Sequence, residues 1–408
     1  MQAGRIICIV FSMLLPLTGW ALEDGRIGVL FIGDPMRAPG FDFMRTEPIF
    51  SLSFVAASLR GFGGWELEDV HRAIRLYLPR NYPDLTSRFD VIVLDNANRN
   101  AFTHTQIDLI ARGVSEAGLG LFMAGGDESF GGHNYPPWGQ TPVGRLLPTE
   151  DIEQSWVVPG RLVIAEQDHE FISSIPWERH SPFMDGWQHN LVTARQGSQL
   201  LAYTDRNNYY LGGEEHPILV TWEVPGGARV FACTGEVTLL STFLNYGGVS
   251  YVPWEYYGDF SSNLMIYLGK RSVPQDVDIV HAARSKSFET RTRISLLLNL
   301  IEFTENFGAN TNDLRGSFDS VEDMISLTTE IYIDLRFEEV LEAYDDIDMA
   351  LDDFEKDAID LKNMALLWVY VIEWSIVTAT ALIAGFVLWS LMVRRKLYQE
   401  VGATRLAG

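Results

Sequence analysis

Trp374 to Val393 reads WSIVTATALIAGFVLWSLMV, twenty residues without a formal charge, and this run constrains the chain more than any other. At about 1.5 Å rise per residue it covers roughly 30 Å as a helix, the thickness of a bilayer's hydrocarbon core. Arg394, Arg395 and Lys396 follow at once. Basic residues flanking a span stay on the cytoplasmic side, and tryptophans such as Trp374 and Trp389 suit the two interfaces. The expectation is one membrane span with residues 394–408 as a cytoplasmic tail. Glu373 falls at the outer edge of the span, where its carboxylate reaches water.

The N-terminal residues predict the matching topology. Arg5 precedes an apolar run, Ile6 to Leu17, that is too short to span a bilayer. Gly19-Trp20-Ala21 ends in a small residue, so residues 1–21 read as a signal peptide cleaved after Ala21. The chain is therefore expected in the cell membrane as a type I single-pass protein, with everything between the two ends outside the cytoplasm. Cys8 leaves with the signal peptide, and Cys233 alone remains, so no intramolecular disulfide is expected. The cysteines have no zinc-type spacing, and neither metal nor cofactor is expected. A net charge of −23 argues against nucleic acid or anionic lipid as a partner of the outer part.

Between the ends lie two regions. Ile27 to Ile32 (IGVLFI), Phe89 to Leu94 (FDVIVL) and Gly118 to Ala124 (GLGLFMA) are short apolar runs closed by turn residues. A helical stretch from Thr105 to Ala117, with Thr103 as its cap, separates the last two. Unbroken apolar runs alternating with helices predict a mostly parallel sheet buried on both faces. His216 to Trp222 and Ala228 to Cys233 read as further strands. Loops at the C-terminal ends of such strands form the usual binding crevice. Three turns converge there, supplying Gly33 and Asp34, Asp95 and Asn96, and Gly125, Gly126 and Asp127. An α/β domain over 22–272 follows.

Residues 273–366 read as an acidic helical bundle or stalk leading into a membrane segment at 367–393. Phe337, Val340, Tyr344, Ile347, Leu351, Phe354, Ala358, Leu361, Ala365 and Trp368 recur in steps of three and four. That is the seam of a helix packing on helices, in the manner of a coiled coil, and it allows oligomerisation. Val321, Met324, Thr328, Ile331 and Leu335 repeat it, with Asp319 to Glu322 as a capping box opening that helix. Ile294, Leu298 and Ile301 mark an earlier helix ending near Gly308. The acids from Glu338 to Asp353 read as a solvated face.

The stretch LGLFMAGGDESFGGHNYPPWGQTPVGRLLP resembles a segment of proteins with a glutamine amidotransferase-like domain. HPILVTWEVPGGARVFACTGE, with Trp254 and the Tyr-rich helix to Leu268, resembles that family's strand pair and closing helix. The resemblance covers roughly residues 25–271 and implies a class I amidotransferase-like fold. Active members place a cysteine at a strand-to-helix elbow and a His-x-Glu pair after a later strand. Such chemistry needs a thiolate, a base, an acid to orient the base, and an oxyanion site.

This chain departs at those positions. The elbow reads Met123-Ala124-Gly125-Gly126-Asp127, without cysteine, and the later pair reads Thr234-Gly235-Glu236, keeping the acid and losing the histidine. Cys233 lies on the wrong strand. Glutaminase chemistry is therefore expected to be absent, leaving a domain that binds a small-molecule or protein partner. The rival reading is a hydrolase using Asp127, Glu128, Ser129 and His133, with Glu236 a further candidate. In that case Ser129 and His133 would be nucleophile and base, or the acids and His133 a metal site. Asp168-His169-Glu170 and Glu214-Glu215-His216 are weaker clusters, since adjacent residues seldom point at one ion. Trp177, Trp187, Trp254, Tyr256 and Tyr257 serve either as core or as a sugar-binding surface.

Overall fold

The computed structural model describes residues 24–34, 39–59, 66–132, 136–160, 162–179, 187–204, 215–235, 242–244 and 251–405. The apolar runs become strands β1 (Ile27–Gly33), β3 (Val91–Asp95), β4 (Gly120–Ala124), β9 (Pro217–Val224) and β10 (Ala228–Cys233). Sequence reading passed over β2 (Phe50–Ala56), β6 (Leu162–Ile164) and β8 (Gln199–Thr204). Among the described residues these form an eight-stranded sheet in the order β2-β1-β3-β4-β10-β9-β8-β6. The first five strands are mutually parallel, and β9, β8 and β6 extend the sheet antiparallel. Two smaller antiparallel pairs complete the strands, β5 (Thr149–Gly160) with β7 (Trp187–Ala194) and β11 (Thr242–Leu244) with β12 (Tyr251–Pro253).

Both faces of β1, β3 and β4 are covered, which is why these strands carry no polar alternation. Every residue of β1 is buried. Leu30, Ile32, Ile92, Leu94, Leu121 and Met123 face one layer with Val70 and Ile74 of α2 (Leu67–Tyr77), Leu85 of α3 (Tyr82–Arg88), and Ile107 and Ile110 of α4 (His104–Ala117). The alternate residues Phe122 and Phe231 meet edge to face at 6.0 Å, and Phe171 joins Phe231 at 5.3 Å and Phe260 at 5.6 Å. Phe260 lies on the helix Tyr257–Leu268, in which only Gly258 escapes full burial. Helix α4 opens where the sequence places it. Thr103 and Gln106 form a reciprocal capping box, and Gly118 closes the helix at φ 75°.

The chain divides into two compact units, Met1–Ser285 with Thr329–Val340, and Lys286–Thr328 with Leu341–Gly408. In the first, a buried polar network joins segments remote in sequence. Asp259 Oδ1 accepts from Arg284 Nη1 at 2.7 Å, Asp259 Oδ2 lies 2.7 Å from His281 Nδ1, and Asn263 Oδ1 accepts from Arg284 Nη2 at 2.8 Å. Glu47 lies 3.5 Å from Arg284 and accepts from the Tyr332 hydroxyl at 2.6 Å. Burial pushes the Asp259 carboxyl upward, but His281 and Arg284 outweigh it and hold the group below the usual carboxylate range.

The second unit contains most of the helix Val277–Asn306, most of Asn312–Ile333, and the greater part of Phe337–Arg405. The seam residues Tyr344, Ile347, Leu351, Phe354, Ala358 and Ala365 are buried, whereas Trp368 is 61% exposed and ends the seam. On the earlier helix Leu298 is 43% exposed. The inward face there is set by Leu297 and Ile301, one turn apart, correcting the register read from Leu298. Asp319 does not open a helix either. That helix starts at Asn312, whose N–H donates to Asn310 Oδ1 at 3.2 Å, and Asp319 sits two turns inside because nothing before it breaks the helix. Phe337–Arg405 holds the one stretch, among the described residues, long and apolar enough to cross a membrane.

Candidate functional site

The strand order places a switch point between β1 and β3, whose connections leave in opposite directions, and ligands of open α/β sheets bind outside the strand ends at such a point. Gly33 and Asp95 are register partners there, and the Asp34 N–H donates to the Asp95 carbonyl at 3.2 Å. Asn96 follows in the left-handed region at φ 48°, a conformation asparagine tolerates better than most residues. Its Oδ1 accepts from the Glu128 N–H at 2.8 Å. A Cβ on Gly126, at φ 150°, would fall 2.4 Å from that same oxygen, and one on Gly125 would fall 2.0 Å from the Thr234 carbonyl. The paired glycines therefore let the turn after β4 press against both neighbouring strand ends.

The sequence-predicted crevice residues thus come together. Asp34, Asp95, Asn96 and Glu128 are buried, and Asp127 is half-buried at the rim. Described side chains of this chain bond across the crevice. The Glu128 carboxylate accepts from the Ser58 hydroxyl at 3.1 Å and from the Leu59 N–H at 3.0 and 3.1 Å, fastening the turn to the loop after β2. Asn190 of β7 holds the other side: its Oδ1 accepts from the Gly126 N–H at 2.9 Å, and its Nδ2 donates to the Gly126 carbonyl at 3.1 Å. Ser129 is buried in the turn, its carbonyl accepting from the Gly132 N–H at 2.8 Å. Trp138 seals the far end, donating from Nε1 to the Ala97 carbonyl at 2.9 Å.

Ser58 and Asn190 are site residues that sequence reading missed. They lie 70 and 64 positions from their partners, and an isolated Ser or Asn in an unassigned segment carries no spacing signal. His133 and Glu236 lie outside the described residues. Among the described residues no group of three or more His, Cys, Asp or Glu is placed to hold a metal ion. Cys233 is fully buried, its Sγ 3.6 Å from the Gly235 carbonyl, and burial pushes the thiol up to about 12. A thiol so raised is no nucleophile near neutral pH.

Other clusters resolve into packing. His169 Nδ1 accepts from the Phe171 N–H at 3.2 Å, its ring meets Tyr267 at 5.2 Å, and burial lowers its affinity for a proton. The His216 N–H donates to Thr204 Oγ1 at 3.0 Å, and its ring lies 6.2 Å from that of buried His189. Glu214 lies outside the described residues, as does the Trp187 side chain. Trp254, Tyr256 and Tyr257 are buried, with Trp254 tilted against half-buried Trp177 at 5.7 Å. These four are core, not a sugar platform, because they pack on one another and on Phe260.

Asp151 anchors the loop that follows the glycine turn. Its Oδ2 accepts from the Gly139 N–H at 2.6 Å, and burial raises its carboxyl to about 6 against the pull of Gly139 and Arg195. A folded-state value above the unfolded one adds stability below the unfolded value, and that stability is lost as pH rises through about 6. Asp151→Asn keeps the acceptor and removes the charge. It is expected to stabilise the unit at pH 7.5 by about 1–3 kcal/mol, the lower end applying if water reaches the half-buried group. Denaturant melts at pH 4 and pH 7.5 check this, and equal stabilisation at both would overturn it.

These observations define a mixed α/β domain with a mostly parallel sheet, followed by helices, the last of which carries a long apolar stretch. No protein-family model matches the chain, and no curated protein does. Among solved structures, the cytoplasmic protein STM1381 from Salmonella typhimurium LT2 is similar over 59% of this chain and 99% of its own, with 18% sequence identity and a TM-score of 0.42.

Proposed function

We propose that the chain is a single-pass membrane protein of type I orientation, presenting an amidotransferase-like domain outside the cytoplasm that binds a ligand or partner without amidotransferase chemistry. The observation that carries this reading is the self-bonded turn at the switch point. Glu128, the central acid of the candidate catalytic loop, is spent on Ser58 and Leu59. A catalytic acid needs a reacting group within hydrogen-bond reach, and Glu128 is enclosed by its own chain. The sealed Cys233 supports the same conclusion. The class I amidotransferase-like assignment rests on the matched segments around Gly125-Gly126 and Cys233-Thr234-Gly235, which lie side by side at the ends of β4 and β10. Asp127, half-buried where Glu128 is buried, is the acid of the turn whose substitution tests the crevice.

The test uses the full chain in phosphatidylcholine vesicles. With glutamine, ammonia release at the rate of protein-free vesicles is expected, and a faster rate that Cys233→Ser abolishes would overturn the proposal. Amino acids and simple sugars are then screened for a rise in melting temperature. A rise that Asp127→Asn abolishes is expected, whereas one that survives the substitution removes the crevice as the binding site.

A further inference from the structure

The second unit contains apolar side chains that its own packing leaves uncovered. Phe303 and Phe307 are 43% and 41% exposed, and their rings pair at 4.7 Å. They stand where the helix Val277–Asn306 ends, before a short connection to Asn312–Ile333.

Two basic side chains fix the level of this pair along the long helix. Lys286 bonds Asp348, and Arg293 bonds Asp352 at 2.5 Å and Glu355 at 2.7 Å, joining residues 62, 59 and 62 positions apart. An offset that stays between 59 and 62 means that the two helices run in the same direction. It carries Phe303 to residues 362–365 and Phe307 to residues 366–369. Burial agrees, because among the described residues the last buried one of the earlier helix is Thr304 and that of the long helix is Ala365. The middle helix runs the opposite way, and its Phe318 meets Phe354 at 6.0 Å. Counting back from that contact brings its start at Asn312 to about the level of residue 360, within about a turn of Phe303.

All three helices of the unit therefore stop packing together at one height. Only the long helix continues, and there its surface turns apolar: Leu367, Trp368 and Tyr370 are each 61% exposed, and the charge-free run begins one turn later at Trp374. From Trp368 to Trp374 is roughly 9 Å along a helix, the depth of a headgroup layer with its acyl boundary.

We infer that the Phe303–Phe307 tip is a membrane-contacting surface, with Phe307 seated beside Trp368 and Tyr370 in the interface of the leaflet that the span enters and Phe303 at its outer edge. The partner is a zwitterionic lipid surface. Apolar rings in a headgroup layer gain burial without needing a basic patch, and the neighbouring Glu302 and Glu305 disfavour anionic headgroups. The long helix would then enter the bilayer supported by a second contact point, which limits its tilt. This inference rests on the reading of Trp374 to Val393 as a span.

Spin labels on single cysteines, in a full chain with Cys8 replaced and Cys233 left buried, separate the two ideas. Labels go at Phe303, Phe307, Leu327 and Leu388 of the protein in phosphatidylcholine vesicles. Leu327, 64% exposed, lies far up the middle helix, and Leu388, 59% exposed, lies within the span. Power saturation is expected to show oxygen exceeding a water-soluble nickel chelate as relaxer at Leu388, comparable access at Phe303 and Phe307, and the chelate dominating at Leu327. Chelate access at Phe303 and Phe307 equal to that at Leu327, with Leu388 still lipidic, would overturn the surface and spare the span. Chelate dominance at Leu388 would overturn the span, and the surface with it.

Discussion

Arg284→Ala is expected to cost the first unit about 3–5 kcal/mol, because it strands two carboxylates in a dry site. Arg284 is 8% exposed and lies between Asp259 and Glu47, whose side chains are 5% and 9% exposed. Burial works to lower the guanidinium's proton affinity, and Glu47 and Asp259 more than reverse it. Hydrogen exchange of the helix Tyr257–Leu268 in the full chain reads the loss directly, since Asp259 and Asn263 lie on it. A triple variant, Glu47→Gln with Asp259→Asn and Arg284→Met, is expected to recover most of that protection. The Arg284→Ala variant also leans on His281, whose imidazole is raised by its hydrogen bond to Asp259 against partial burial. A raised folded-state value contributes fully below the usual imidazole value and is lost above it, as pH rises through the raised one. The variant is therefore expected to lose further protection between pH 6 and pH 8, whereas unchanged exchange at every pH would sink the account.

Glu128→Ala is expected to cost about 2–4 kcal/mol, close to the effect of Arg284→Ala, for a different reason. The substitution leaves the Ser58 hydroxyl and the Leu59 N–H without their acceptor in a buried site. Glu128→Gln keeps one oxygen and is expected to recover about half of the loss. The comparison also speaks to function. A structural Glu128 predicts that both variants lose stability in that order, measured by denaturant titration of the full chain in micelles. If both variants melted like the parent chain while ligand binding changed, Glu128 would return as a recognition group.

The centre of the parallel half was legible because burial on both faces forces β1, β3 and β4 into unbroken apolar runs, and β10 into one broken only by Arg229. Strand β2 hid because Ser51 and Ser53 interrupt FSLSFVA, and the half-exposed positions of an outer strand tolerate them. Strands β6 and β8 belong to the antiparallel extension, where apolar and polar residues mix and the runs are short. Thr103 declared the start of α4 because a capping box is a local arrangement, complete within four residues. The same signature at Asp319 misled, since a capping box inside an established helix reads as one at its start. The crevice was half legible. Turn residues such as Asn96 and Gly126 advertise themselves, whereas Ser58 and Asn190 become site residues only when the sheet brings them across. The slip between Leu297 and Leu298 shows the limit of period counting when apolar residues run LLLNLI, since several registers fit.

Strand β10 joins the parallel and antiparallel halves of the sheet, yet it follows β4, its parallel neighbour, only after a long intervening segment that contains β5 to β9. During synthesis β4 must wait with one edge unpaired until Ala228–Cys233 arrives. Contacts between distant residues form slowly, and an open strand edge invites other chains meanwhile. A chain emerging residue by residue would therefore pass its most vulnerable moment before β10 appears, when the apolar edge of Gly120–Ala124 is finished but has no cover. Truncations ending between β4 and β10 should accumulate as aggregates, and a chaperone would find its binding site on that edge during this interval.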